Sequence, residues 1–393
     1  MASRKNHIDR MILIVVLFLL VSSIVVVYSA SSSWALNNPH IRSAAGLVNK
    51  HIVKVLIGFV VMFFAINIDY RKYKPLTLWV LLGAVVLLIV TRIAGSEAKG
   101  AVRWISTGGV NLQPSEVAKF ALIFHLATLL SSKGTKLQDF KKGFVPLLFW
   151  VGLVVVLVMI QPNFSTGAII CVLGMLMIFI GGARLKHVLL SLSALLPALV
   201  VYMISAPYRM KRILSYIGFA NDDSGIAAKD NYQLLQGIIG FGNGGIFGVG
   251  MGMSKQRDLF LPESYGDFIF SIVGEEYGII GTVLFLLIFL LILSRGLRIA
   301  KYAPDDFGKF LAIGITTTIV LYALANTLVT LGLVPTTGVP MPFVSYGGTA
   351  IISSCYAIGV LLNISSQTDL HPRISEQPAV VSVEQEPAVG RVY

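Results

Sequence analysis

The stretch Met11-Ile-Leu-Ile-Val-Val-Leu-Phe-Leu-Leu-Val-Ser-Ser-Ile-Val-Val-Val27 decides the fold class, because it contains no charged residue. An apolar run of this kind is close to the roughly 20 residues that a helix needs to cross about 30 Å of hydrocarbon. It lacks the alternation of apolar and polar residues over about ten positions that is typical of a membrane β-strand. The sequence therefore predicts an all-α membrane protein.

The composition of the whole chain supports this prediction. Of 393 residues, 55% are hydrophobic and 13% are charged, with a mean hydropathy of +0.80. A soluble protein carries about 25% charged residues, so an ordinary soluble enzyme is excluded. The net charge of +12 is spread between apolar runs without a long basic tract, which argues against a nucleic-acid partner. Cys171 and Cys355 both lie in apolar runs, so we expect neither a disulfide framework nor a cysteine metal site.

Nine further apolar runs follow the first and predict a polytopic protein with about ten transmembrane helices. The ten predicted spans are 11–28, 52–68, 76–93, 116–131, 144–161, 166–183, 188–206, 268–293, 309–333 and 350–364. Arg4, Lys5 and Arg10 precede the first span and predict a cytoplasmic N-terminus, and the even count returns the C-terminus to the same side. We expect a single ten-helix domain over residues 1–364, with a large extracytoplasmic loop, 207–267, between helices 7 and 8. Residues 365–393 are polar and aperiodic, which predicts a disordered cytoplasmic tail.

Charged residues cluster in the third connection, which the topology places on the outer side. Within it, Pro114 to Lys119 is typical of a helix start, with Glu116 and Lys119 one turn apart. Two interpretations stay open, a capped helix with one salt bridge and a rim of cations that binds a phosphate-bearing lipid or substrate. The rim would consist of Arg92, Lys99, Arg103 and Lys119.

The large outer loop contains a glycine-rich run, Gly237 to Gly252, without the βαβ context of a nucleotide-binding motif. Because glycine permits close backbone approach and positive φ, we expect a re-entrant or tightly packed segment at the membrane surface. Asp267 lies where the loop becomes a span, in a position to meet a substrate, and Glu275 and Glu276 lie about two turns further on. These two acids either pair with a cation such as Arg209 or Lys119 or face an aqueous cavity.

The last outer loop, Pro335 to Gly348, carries three prolines and three glycines and cannot be helical throughout. Its exposed backbone must line a cavity or be buried against protein. Its hydroxyls, including Ser345, and its amides could hold an oxyanion, and a rigid connector is the alternative.

Several motifs along the chain together resemble the FtsW/RodA/SpoVE (SEDS) family. They are Tyr28-Ser29-Ala30-Ser31, Arg103-Trp104-Ile105, Gln113-Pro114-Ser115-Glu116 with Lys119, Gln161-Pro162-Asn163-Phe164-Ser165-Thr166, Pro262-Glu263 with Asp267-Phe268-Ile269-Phe270, Glu275-Glu276, and Thr337-Gly338 to Gly348. One departure is visible, because Asn163 and Ser165 stand where the family usually has Asp and Gly. Resemblance through residues 91–190 favours the division branch of the family.

The resemblance implies a ten-span peptidoglycan glycosyltransferase in the bacterial cytoplasmic (inner) membrane, at the division septum. Such enzymes polymerise lipid II, an undecaprenyl-pyrophosphate disaccharide-peptide, with a class B penicillin-binding protein and other division proteins as partners. The resemblance also places the family's essential acid at Asp267, which we expect to take the proton of the acceptor hydroxyl.

The same chemistry requires the departing pyrophosphate to be held, and the candidates are Arg103, Lys119 and Arg209. Further substrate contacts are predicted at Glu116, Glu263, Glu276 and Ser345. A divalent cation, Mg²⁺ or Mn²⁺, could share this work near Asp267 or Glu263, although no ligand spacing demands one. Two other functions stay open at this point, a lipid II flippase or other transporter, and a scaffold of the division machinery.

Overall fold

The computed structural model describes residues 7–37, 43, 45–98, 101–107, 110–204, 210, 216, 226–262 and 264–368. Within these residues the chain forms eleven α-helices. They are α1 Arg10–Asn37, α2 Gly46–Asn67, α3 Thr77–Ala94, α4 Pro114–Lys133, α5 Val145–Ile160, α6 Phe164–Ile180, α7 Leu185–Ile204, α8 Ile226–Gly244, α9 Ile269–Lys301, α10 Asp306–Thr330 and α11 Gly348–Ser365. All but α8 coincide with the ten predicted spans, and α8 lies inside the large outer loop.

Eight of these helical segments are long and apolar enough to cross a membrane. The α6 helix is apolar but shorter, and α4 falls below the hydropathy of a lipid-facing span. The reason for the polarity of α4 is its position, because nearly every side chain from Pro114 to Ala127 is buried against other helices. A helix surrounded by protein does not need the apolar surface that lipid requires.

The bundle has a protein-packed centre and a lipid-facing rim. The central helices are α4, α10 and α11. In the most apolar 18 residues of each helix, 67% of α10 and 72% of α11 are buried, against 33% of α2. Large apolar side chains on the outer helices are exposed, including Trp79 at 70% and Ile93 at 81%. Exposed apolar surface on this scale is what contact with lipid tails requires.

One end of the bundle is held by side chains that the topology places in the cytoplasm. Arg295 near the end of α9 forms a 2.7 Å ion pair with Asp9, whose backbone N–H donates to Ser365 at the end of α11. Arg71, before α3, pairs at 3.0 Å with Asp305, which caps α10. These contacts gather the start of the first span and the ends of the eighth and tenth spans at one side, as the alternating topology requires.

Asp305 accepts three hydrogen bonds at this end. Burial raises the pKa of Asp305, but hydrogen bonds from Tyr70, Gly308 and Arg71 outweigh burial and hold the pKa below its ordinary value. The carboxylate is therefore ionised at neutral pH and joins the α2–α3 connection to the start of α10.

The predicted disordered tail begins later than the sequence suggested. Ser366 and Thr368 are buried, and their amides continue the hydrogen bonding of α11 by donating to Leu362 and Ser365. The prediction of disorder was therefore wrong for residues 365–368, and residues 369–393 lie outside the described residues.

A small antiparallel sheet in the third connection was not predicted. Strands β1 Ser96–Ala98, β2 Ala101–Thr107 and β3 Val110–Leu112 form a meander in the order β1-β2-β3. The pairing of Ile105 with Leu112 brings the chain back to the start of α4. This sheet replaces an irregular loop and holds Arg103 on its central strand.

The α9 helix is broken at Gly278, where φ is +65° and ψ is −166°. The backbone groups freed by the break bond to the glycine-rich segment, residues 245–252. The amides of Ile279 and Ile280 donate to the carbonyls of Gly245 and Ile246, at 2.9 and 3.2 Å. In return, the amides of Val249 and Gly250 donate to the carbonyls of Glu275 and Glu276, at 3.0 and 3.1 Å.

These hydrogen bonds between α9 and residues 245–252 explain why the segment is rich in glycine. A Cβ at Gly248, where φ is +85°, would lie 2.1 Å from the Glu276 carbonyl oxygen, so only glycine allows the approach. The predicted tight packing of this segment is confirmed. Satisfied backbone groups allow such a segment to lie at membrane depth.

Candidate functional site

Asp267 lies two residues before α9 at the end of the bundle opposite to the Asp9–Arg295 pair. It is half-buried, and the last outer loop faces its side chain. A Cβ at Gly338 would lie 3.7 Å from Asp267 Oδ2, so the absence of a side chain there keeps space beside the carboxylate. The structure thus places the predicted catalytic acid against the proline- and glycine-rich loop.

A buried amide on α10 fixes the position of Asp267. Asn326 Nδ2 donates to the backbone carbonyl of Asp267 at 2.7 Å and to that of Val339 at 2.8 Å. One side chain therefore ties the start of α9 to the last outer loop. Sequence reasoning missed Asn326, although an amide inside an apolar span is a signal that could have found it.

The last outer loop is a folded, buried connector rather than an open one. Ser345 is 1% exposed, and its Oγ accepts from the Met341 amide at 2.8 Å, while its own amide donates to the Met341 carbonyl. Phe343 is fully buried with a positive φ of 66°. Thr337 keeps a buried hydroxyl without a hydrogen-bond partner among the described residues. Of these groups, the Thr337 hydroxyl is the one that could bind an oxyanion without losing a described hydrogen bond.

Glu116 and Lys119 form a buried ion pair in the first turn of α4. The Nζ–Oε2 distance is 2.6 Å, and both side chains are less than 5% exposed. Lys119 Nζ also lies 3.7 Å from the centroid of the Tyr322 ring on α10, one turn before Asn326. The predicted salt bridge is confirmed, and it links α4 to the face of α10 that holds Asp267.

Arg103 on β2 binds the backbone of the turn between α5 and α6. Its guanidinium donates to the carbonyls of Gln161, at 3.3 Å, and Pro162, in the turn between α5 and α6. A cation at the carbonyl end of α5 is favoured by the helix dipole. Asn163 follows in this turn, is buried, and does not cap α6 with its side chain.

The two acids of α9 hold the glycine-rich segment. Glu275 is fully buried and accepts from Asn243, Ser254 and the amides of Lys255 and Gln256. Lys119, one of the two cations named as possible partners of these acids, pairs with Glu116 instead, and the other, Arg209, lies outside the described residues. The donors to Glu275 come from Asn243 and from residues 254–256.

Glu276 bonds to α1 and to the same segment. It accepts from the Ser29 hydroxyl and from the Gly252 amide at 3.0 Å, and its Oε2 has no hydrogen-bond partner among the described residues. Arg257 Nη1 lies 3.5 Å from the same Ser29 hydroxyl. The Tyr28-Ser29-Ala30-Ser31 motif thereby contacts the acid pair through Ser29.

Further contacts bring the separate elements together at this end. Thr349 at the start of α11 accepts from the Gln113 amide at 3.0 Å and donates to the Asn111 carbonyl at 3.1 Å, which joins the sheet to the last outer loop. The Tyr346 amide donates to the Tyr265 carbonyl at 2.9 Å. Burial raises the pKa of the Tyr346 phenol, so it is neutral at physiological pH.

Three predicted cations or acids lie outside the described residues, namely Lys99, Arg209 and Glu263. The remaining rim residue, Arg92, is exposed at the end of α3. The proposed rim therefore contains an exposed arginine, a half-buried arginine bound to carbonyls and a buried, paired lysine.

The described residues offer few donors for a metal ion at this end. Among the described residues, no three His, Cys, Asp or Glu side chains come together. A single carboxylate such as Asp267 fits Mg²⁺ only where substrate phosphates complete the coordination, as is usual for this ion.

Among the described residues, eight helices able to cross a membrane enclose buried acids, and Asp267 lies at one end of the bundle. These features define a polytopic membrane protein with a polar site at one end. The profile of the FtsW/RodA/SpoVE family, described as cell cycle proteins, matches residues 9–370. The chain belongs to this family.

Named relatives match over almost the whole chain. A probable peptidoglycan glycosyltransferase FtsW of Geobacter metallireducens is 38% identical over 361 residues, covering 91% of this chain and 95% of the relative. Stage V sporulation protein E of Bacillus subtilis is 38% identical over 369 residues, covering 93% and 99%.

Solved structures match the fold. One is described as "Structural coordination of polymerization and crosslinking by a peptidoglycan synthase complex"; its chain has a TM-score of 0.73 at 22% identity, covering 91% of this chain and 97% of that one. The rod shape determining protein RodA of Thermus thermophilus has a TM-score of 0.64 at 21% identity, covering 90% and 96%.

Proposed function

We propose that the protein is a peptidoglycan glycosyltransferase that polymerises lipid II into glycan strands at the outer face of the cytoplasmic membrane. The observation that carries this proposal is Asp267, a carboxylate held at the predicted outer end of the bundle between α9, Asn326 and the last outer loop. Family membership and the names of the relatives support the reaction class.

Asp267 acts as the general base. Glycosyl transfer requires removal of the proton from the attacking hydroxyl and stabilisation of the departing pyrophosphate. The hydrogen bond from Asn326 fixes the Asp267 backbone, and Gly338 leaves room beside the carboxylate for a sugar hydroxyl. Precise placement of a base contributes a large share of such a rate enhancement.

The predicted cations differ in how they can hold pyrophosphate. Arg103 donates to two carbonyls, which fix its guanidinium beside the turn between α5 and α6, and from this position it would meet phosphate oxygens. Lys119 and Glu116 neutralise each other, so they contribute as a polar pair next to α10. The roles of Arg209 and Glu263 stay predictions. Glu276 and Ser345 contribute indirectly, because they hydrogen-bond to segments that surround the site. A divalent cation would be held by Asp267 together with the pyrophosphate, and EDTA should then reduce strand formation.

The cellular role follows the division branch. We infer that the protein works at the septum with a class B penicillin-binding protein and other division proteins. The structural match to a chain from a peptidoglycan synthase complex supports a partnered enzyme.

A lipid II flippase is the second candidate, and one observation favours it. The break of α9 at Gly278, next to the buried Glu276, is of the kind found in transporters with discontinuous helices. A flippase would move lipid II across a bilayer without making strands and would tolerate the loss of Asp267.

The deciding experiment measures strand formation from purified lipid II with and without a class B partner. Asp267→Asn should abolish strands while the protein stays folded and partner-bound. Asp258→Asn, an exposed acid of the same outer loop, is the matched control and should retain activity. Normal polymerisation by Asp267→Asn would exclude the proposed base, and transport without strands would favour the flippase. If every substitution in the site were harmless, the protein would be a scaffold.

A further inference from the structure

The α2 helix carries an ammonium group inside the membrane bundle. Lys54 lies eight residues after Gly46, which places it about 12 Å from the first residue of the helix at 1.5 Å per residue. Its side chain is half-buried. A cation at such a depth costs free energy, and in membrane proteins it normally marks a polar partner or a ligand pathway.

Lys54 has no acidic partner among the described residues. The ion pairs that these residues form involve Arg71, Lys119, Arg257 and Arg295 as the cations. Lys50, one turn earlier on the same face, is also a cation, and like charges at this spacing repel. Among the described residues, Glu116 therefore neutralises Lys119, whereas no acid neutralises Lys54.

The position of Lys54 is nevertheless fixed by aromatic packing. Its Nζ lies 3.6 Å from the centroid of the Tyr346 ring, and a Cβ at Gly348 would lie 3.2 Å from Lys54 Cε. A cation–π contact of this kind is attractive and leaves the positive charge intact. The ammonium is held in place without being neutralised.

Tyr346 connects this ammonium to the site. Its amide donates to the Tyr265 carbonyl, two residues before Asp267, and its ring lies 5.8 Å from the Tyr265 ring. Tyr346 also belongs to the loop whose Gly338 faces the Asp267 carboxylate. Lys54 thus shares its supporting segments with the proposed base.

We propose that Lys54, held against Tyr346, binds the pyrophosphate of the polyprenyl-linked donor. An anion anchored in lipid reaches a lysine at this depth, and an ammonium binds phosphate oxygens as a compact point charge. This inference rests on the proposed function for the identity of the donor. Sequence reasoning considered the cations of the outer loops and passed over this one inside a span.

The test measures binding of undecaprenyl pyrophosphate to the purified full chain in lipid nanodiscs. Lys54→Met should weaken the Kd by about tenfold or more, which corresponds to about 1.4 kcal/mol. Lys54→Arg should stay close to wild type, because it keeps the charge. Lys72→Met is the matched control, since Lys72 is an exposed lysine at the predicted cytoplasmic end. Undecaprenyl pyrophosphate carries no sugar to transfer, so this result does not depend on strand formation.

Two results would overturn the proposal. One is an unchanged Kd in Lys54→Met. The other is an equal loss of binding for phosphatidylglycerol, which would identify a phospholipid headgroup as the ligand. If Lys54→Met does not fold, the acetylation rate of lysines in the wild-type protein decides instead. Undecaprenyl pyrophosphate should slow the acetylation of Lys54 and not that of Lys72. An equal acetylation rate of Lys54 with and without undecaprenyl pyrophosphate would also refute the proposal.

Discussion

Replacing Gly248 should destabilise the protein much more than replacing Gly250, two residues further on. Both glycines have positive φ, 85° and 102°. A Cβ at Gly248 would lie 2.1 Å from the Glu276 carbonyl oxygen, whereas the nearest atom to a Cβ at Gly250 is Met253 Cγ at 3.8 Å. The two alanine variants therefore share the backbone strain and differ in the collision with α9.

The expected difference follows from the bonds at the break in α9. Positive φ costs an L-residue about 1–2 kcal/mol, and this cost cancels in the comparison. To admit the Gly248→Ala methyl group, the Glu276 carbonyl must move, which disrupts the hydrogen bond that it accepts from the Gly250 amide. A buried carbonyl such as that of Glu276 costs about 1–3 kcal/mol when it loses its partner, so we expect a difference of about this size.

Thermal unfolding of the purified variants in detergent measures this difference. Gly248→Ala should have a Tm lower than that of Gly250→Ala by about 1–4 °C. Gly245→Ala is a second control, because φ there is +53° and nothing lies within 4 Å of an added Cβ. Equal Tm values for Gly248→Ala and Gly250→Ala would refute the argument that close approach, rather than φ, requires glycine at Gly248.

Three further outcomes are expected. Asn326→Leu removes the donor to the Asp267 and Val339 carbonyls and should lower the rate of strand formation by about tenfold to a hundredfold, measured with purified lipid II. Lys119→Met leaves Glu116 as a buried unpaired acid and should lower the free energy of unfolding by about 3–5 kcal/mol, with partial recovery in the double variant Glu116→Leu/Lys119→Met. Asp305→Asn should lower Tm at neutral pH, and the difference from wild type should shrink as the pH falls below about 4, since the pKa of Asp305 is lower in the folded state than in the unfolded state.

Each outcome has a control and a contrary result. Thr327→Val, next to Asn326 but bonded only within its helix in the described contacts, should leave the rate of strand formation unchanged. Wild-type kinetics in Asn326→Leu would show that its hydrogen bonds do not position Asp267. Equal stability of the single and double variants of the Glu116–Lys119 pair would mean that the lone acid is solvated. A Tm difference at Asp305 that is constant from pH 7 to pH 3 would contradict a lowered pKa.

The membrane helices could be predicted because their signal is local. An apolar run such as Met11 to Val27 identifies a span without reference to any other segment, and Pro114 correctly predicted the first residue of α4. The glycine-rich run predicted close packing for the same reason, since glycine itself carries the information.

The partners within the site could not be predicted because they come from distant segments. The Glu275 carboxylate accepts from amides about twenty residues away, and no pattern in the sequence marks an amide as a donor. The small sheet was missed because strands as short as Ser96–Ala98 show no alternation that could be recognised. Asn326 and Lys54 were overlooked because each stands alone in an apolar run, where its partner depends on the packing of the bundle.

The break at Gly278 also bears on the biogenesis of the protein. The part of α9 after the break, Ile279 to Lys301, is about 35 Å long at 1.5 Å per residue and can enter the bilayer by itself. The part before it cannot lie in hydrocarbon until residues 245–250 satisfy its free carbonyls. Because those residues precede α9 in the chain, the ribosome delivers them first, and the outer half of the helix finds its complement as soon as it is synthesised.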